Sequence, residues 1–78
     1  MTSKATQMFK LNLKRYLERN PDVGPSPLGK KAGRSDSYIR TLFNNADQSP
    51  TIDTAELIAK EIGMDLRQML TDPKDWEK

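Results

Sequence analysis

Residues 35–45 read SDSYIRTLFNN. Set on a helix, Ile39 and Leu42 stand three apart and turn inward, which leaves Asp36, Ser37, Arg40, Thr41 and Asn44 largely on the outer face. These side chains present a carboxylate, hydroxyls, a guanidinium and an amide, a set suited to hydrogen bonding with a polar partner. Bond-breaking chemistry has little to be built from. The chain has no cysteine, no histidine and no glycine-rich loop to cradle phosphates, so the usual nucleophiles, bases and zinc ligands are missing. Asp53, Glu56 and Glu61 share one helical segment, a setting in which carboxylates are solvated or cap helices. The expectation is a binding module that is not an enzyme and needs no metal or cofactor.

The elements around this segment are all helical. Phe9, Leu13, Tyr16 and Leu17 recur at helical spacing from Thr6 to Asn20, where Pro21 forces a stop. Residues 1–5 are expected to fray. Val23 tucks under a second helix, Pro25 to Ala32, whose prolines are tolerated because first-turn amides have no intrahelical partner. Gly33 ends that helix in a tight turn. Ser35 is the natural N-cap of the next, Asp36 to Phe43, with Asp36 in its first turn. Thr51 caps a fourth helix, Ile52–Ile62, with Ile52, Ala55, Ile58, Ala59, Ile62 and Leu57 expected inward and Gly63 closing it. Asp65 and Gln68 form a capping-box pattern for a short fifth helix carrying Leu66, Met69 and Leu70. Thr71-Asp72-Pro73 is expected to end regular structure. Nothing alternates like a strand, so the predicted fold is all-α, a compact five-helix bundle over residues 6–71 with a charged tail or linker start at 72–78.

Gly29 interrupts the second helix. A mid-helix glycine costs about 0.5–1 kcal/mol relative to alanine, so it calls for a close approach by another element. Leu28 and Ala32 pin that helix to the core, as Ile39 and Leu42 pin the third.

Seventy-eight residues make one domain, near the size at which a single core only just suffices. No apolar run approaches the roughly 18–20 residues of a membrane span, and no signal-peptide segment opens the chain, which makes a soluble cytoplasmic protein the expectation. The net charge of +2 is unevenly spread. Residues 1–40 carry nine basic against three acidic side chains, a net +6, and residues 41–78 carry four against eight, a net −4. A dipolar molecule of this kind can turn its positive side to a polyanion, although solvated helix faces give the same count.

The run from Leu28 to Leu70 (LGKKAG, then SDSYIRTLFNN, then SPTIDTAELIAKEIGMDLRQML) resembles the helix-turn-helix of the Cro/CI-type (XRE-like) repressor family. Phe9 to Arg15 is similar to that family's first helix, and Leu42-Phe43-Asn44 is similar to its lambda repressor-like members. The chain departs from the pattern at Pro25, where relatives have a backbone-contacting glutamine, at Arg34, where an apolar residue is usual, and at Ala32, which is small for its place.

The resemblance implies a transcriptional regulator or repressor of phage or prophage type, binding a pseudo-palindromic double-stranded DNA operator as a homodimer. Its third helix would lie in the major groove, with Asp36, Ser37, Arg40 and Thr41 in the base-reading slots and Tyr38 beside them. Arg40 can pair bidentately with guanine O6 and N7. Asp36 either accepts from cytosine or caps the helix; Tyr38 either touches DNA or lies on the scaffold. Asn44 and Asn45 match phosphate-contacting positions, and Lys30, Lys31 and Arg34 are further candidates, with Lys10, Lys14 and Lys4 behind them. In the helix-turn-helix itself, Leu28, Gly29, Gly33, Ile39 and Leu42 are structural. Leu66, Met69, Leu70 and Trp76 either form a dimer surface or close the core. The alternative is a protein-interaction module of the same fold, antitoxin-like or adaptor.

Overall fold

The computed structural model describes residues 3–45 and 47–76, the last of these in its backbone alone. The described residues form six helices and no strand: α1 Lys4–Arg19, α2 Pro25–Lys31, α3 Tyr38–Asn44, α4 Ile52–Glu61, α5 Leu66–Met69 and α6 Pro73–Trp76. None is long and apolar enough to cross a membrane.

Local chemistry sets the boundaries. The Ser3 hydroxyl accepts from the Thr6 amide at 3.2 Å, so α1 starts at Lys4, inside the stretch expected to fray. At its other end the Asn20 amide and side chain both donate to the Tyr16 carbonyl, and Pro21 follows. α2 and α4 stop in the same way. Gly33 and Gly63 take φ of +75° and +73°, and the amides of Arg34 and Met64 reach back to the carbonyls of Gly29 and Ala59, each at 2.9 Å. Thr51 caps α4 through the Thr54 amide. Asp65 caps α5 through the Arg67 amide, a single bond in place of the reciprocal pair expected with Gln68.

Two expectations about boundaries are corrected. Regular structure does not end at Pro73: Asp72 Oδ1 accepts from the Lys74 amide at 3.0 Å, and Pro73, at a first helical position, opens α6. Nor does α3 begin at Asp36. Residues 36 and 37 form a turn, the Tyr38 amide donates to the Ser35 carbonyl at 3.2 Å, and α3 has no side-chain cap. The Ser35 hydroxyl pairs instead with that of Ser37, and Ser26 Oγ donates to the Asp36 carbonyl at 3.0 Å. Asp36 therefore neither caps α3 nor sits in its first turn.

The core gathers Phe9 and Leu13 from α1, Leu28 and Ala32 from the α2 region, Ile39 and Leu42 from α3, Ala55, Ile58, Ala59 and Ile62 around α4, and Met69 from α5. Tyr16, Leu17, Val23, Tyr38, Phe43, Met64 and Leu66 pack against it half-buried. The inward stripe expected of α4 is narrower than its apolar content. Ile52 is 73% exposed and Leu57 45% exposed, because Ile52 begins the helix beyond the rim and Leu57 is turned by about 100° from Ile58. Met69 is fully buried, so it belongs to the core and offers no surface. Leu70 is exposed, Leu66 half-buried, and the Trp76 side chain lies outside the described residues.

One buried polar residue ties the two ends of the chain together. Asn12, 2% exposed on the inner face of α1, directs its Nδ2 at the carbonyls of Met8 (3.0 Å), Met69 (2.9 Å) and Thr71 (2.8 Å). It supplies donors to the carbonyls that the end of α5 leaves without helical partners.

Candidate functional site

α2 and α3 pack more closely on each other than any other pair of elements, and Gly29 is where they meet. With Ile39 and Leu42 fully buried, the rotation of α3 is fixed. At about 100° per residue, Ser37, Arg40, Thr41 and Asn44 then fall within one exposed arc opposite the core. Asp36 is exposed in the turn just before them, and Tyr38 is half-buried at the margin. The five positions expected to read a partner thus lie along one edge of the molecule, four of them open to solvent.

The far end of α3 adds a second group. Asn45 Oδ1 accepts from the Asp47 amide at 3.1 Å, which turns the side chain into the loop. Lys10, reaching across from α1, donates from Nζ to the Asn45 carbonyl at 3.0 Å. Lys10 and Lys14 line, with Leu11, Phe43 and Asn44, an open cleft of about 430 Å³. Both lysines are thereby placed beside the end of α3. Lys30 is exposed at the end of α2, and Lys31 lines a separate cleft with Tyr16, Val23, Pro27, Leu28, Glu61 and Ile62, in which α3 takes no part. The sequence put Lys30 and Lys31 ahead of Lys10 and Lys14 as phosphate candidates, and the structure adds that Lys10 and Lys14 lie at the end of α3.

Arg34, exposed in the turn between α2 and α3, makes defined contacts within the chain. Its Nε and Nη2 both donate to Thr54 Oγ1, at 3.2 and 2.9 Å, and its guanidinium carbon stands 5.4 Å from the centroid of the Tyr38 ring. Thr54 is 3% exposed and also accepts from the Thr51 hydroxyl at 3.0 Å. Burial raises the Tyr38 phenol above its ordinary value, and the positive charge of Arg34 opposes that rise. The guanidinium of this exposed residue thus bridges α4 and the start of α3. Thr54 was missed in the sequence. Its signal was a hydroxyl standing beside Ala55 at the start of the apolar run of α4, where a solvent-facing residue would have needed no explanation.

No family model, curated protein or solved structure gives a significant match to the chain.

Proposed function

We propose that the chain binds double-stranded DNA sequence-specifically, with α2, the turn after it and α3 acting as a helix-turn-helix of the Cro/CI type and α3 lying in the major groove. The observation that carries this reading is the exposed arc of Ser37, Arg40, Thr41 and Asn44 on a helix whose opposite side is locked by Ile39 and Leu42. A helix reads most base edges by hydrogen bonds from its outer face, and a rotation fixed from behind keeps those donors and acceptors in register.

Arg40 is assigned to a guanine, where a bidentate pair is worth about 1–3 kcal/mol of discrimination. Ser37, Thr41 and Asp36 read neighbouring positions, and Asn44, Asn45, Lys10 and Lys14 hold the phosphates at the far end of α3. The protein acts as a phage-type transcriptional regulator in the cytoplasm, and pairs as a homodimer on a pseudo-palindromic operator. Its extents of 31 × 30 × 20 Å suit that arrangement, because half-sites one turn apart are separated by roughly 34–36 Å. Leu70, Leu66 and the exposed Ile52 surround an apolar cleft of about 190 Å³ that a second copy would cover. A protein-interaction module is the competing reading, favoured by Leu57 lying exposed among Asp53, Glu56 and Lys60 on α4.

Selection from a randomised duplex library, followed by titration of the selected site against salt, tests the proposal. A half-site or palindromic motif whose guanine preference is lost in Arg40→Ala supports it, together with affinity that falls steeply with salt. Failure of the folded protein to bind duplex at low salt overturns it in favour of a protein partner.

A further inference from the structure

The start of α3 is held by contacts from outside the helix. It has no side-chain cap, and the two residues before it, Asp36 and Ser37, are held in a turn. Ser26 Oγ holds the Asp36 carbonyl and the Ser35 hydroxyl pairs with that of Ser37, which leaves Tyr38 as the part of this leading segment still to be placed. The first residue of α3 is Tyr38, and the cation over its ring is Arg34. That guanidinium is anchored through two donors to Thr54 Oγ1, on an oxygen inside the core, and Thr54 is in turn held by Thr51 at the start of α4. The arrangement uses what distinguishes arginine from lysine: a flat face for the ring and a fork of donors for the hydroxyl.

We propose that Arg34 is a specificity-determining positioning residue, which acts through Tyr38 and the buried Thr54 hydroxyl to set the aim of Asp36, Ser37 and Tyr38 at the DNA. It does not touch phosphate. This inference rests on the DNA-binding reading and gives that reading a further part: α4 is the fixed post from which the leading end of α3 is aligned, while Ile39 and Leu42 align the rest.

The test compares the full chain with Arg34→Lys, Arg34→Met, Thr54→Val and Thr54→Ser in the same library selection and salt titration, with thermal unfolding showing that each variant is folded. Arg34→Lys keeps the charge and removes the fork. Thr54→Val keeps shape and removes the anchor without altering charge, and Thr54→Ser keeps the hydroxyl. The expected result is that Arg34→Lys and Thr54→Val lose preference at the base pairs facing the leading end of α3. Their affinity for the wild-type motif should fall about tenfold, the scale of one displaced base contact, with the salt slope unchanged, while Thr54→Ser selects the wild-type motif. If the wild type selects a motif and Thr54→Val selects the same one at the same affinity, the positioning role is overturned and DNA binding stands. If Arg34→Met lowers the salt slope by about 0.9 while Thr54→Val leaves the motif intact, Arg34 is a phosphate contact and the inference is again overturned. If the wild type selects nothing, the DNA reading falls and this role falls with it.

Discussion

A Cβ built on Gly29 would lie 2.7 Å from the carbonyl oxygen of Ser35. The obstacle is backbone, so no side chain can swing aside to make room. Helix propensity alone would have Gly29→Ala stabilise α2 by about 0.5–1 kcal/mol. Overpacking of this kind costs about 1–3 kcal/mol, and the larger effect should win. Urea unfolding is therefore expected to show Gly29→Ala less stable than the wild type, while Lys30→Ala, on the exposed side of the same helix, stays within about 0.5 kcal/mol.

Asn12 is the polar counterpart of that contact. Its Nδ2 serves the carbonyls of Met69 and Thr71, while its Oδ1 is buried with no partner among the described residues. Asn12→Leu fills the volume but strands those carbonyls, at a cost of about 1–3 kcal/mol. Amide exchange in α5 and α6 should quicken before that in α2 and α3. Asn12→Asp adds a pH dependence of known sign. A carboxylate facing carbonyl oxygens is held protonated in the folded chain, whereas the unfolded one ionises near a pKa of about 3.9. The variant is thus most stable below that value and weakens as pH rises above it. A flat stability profile from pH 3 to 7 would contradict the geometry.

Ile52 and Ile58 share α4 and, by sequence, one stripe. The structure separates them: Ile58 is fully buried and Ile52 largely open to solvent. Ile58→Ala should cost about 2–5 kcal/mol, and Ile52→Ser no more than about 0.5 kcal/mol in the monomer. Equal losses in thermal unfolding would return Ile52 to the core.

The same pair shows what can be read from sequence. Periodicity found every helix with a repeating face, because burial demands it over several turns. It could not say where a face runs past the rim, as it does at Ile52, which fits the repeat yet is largely exposed. Single-residue signals succeeded where one residue type solves a backbone problem, as Gly33, Gly63 and Gly29 do. They failed where several serines compete. Ser35 looked like the cap of α3, yet its hydroxyl turns to Ser37 and the helix starts three residues later. The partners of Asn12 and Arg34 lie 57 and 20 residues away in the chain, and no local pattern could have disclosed them.

Lys10 and Lys31 carry the same charge and differ in what surrounds them. Lys10 bonds to the Asn45 carbonyl and lines the cleft at the end of α3, whereas Lys31 lines the cleft between Tyr16, Val23 and Ile62. A lysine that meets a phosphate releases a counterion, and its loss lowers the salt slope of binding by about 0.9 without changing which bases are preferred. Lys10→Gln is accordingly expected to reduce the slope by that amount, to weaken binding evenly across sequences, and to leave the selected motif as it was. Lys31→Gln should leave slope and motif alike. The reverse outcome, with Lys31 carrying the salt dependence, would mean that the DNA runs along α2 instead of past the end of α3 toward α1, and the assignment of the phosphate-holding residues would have to be redrawn around that path.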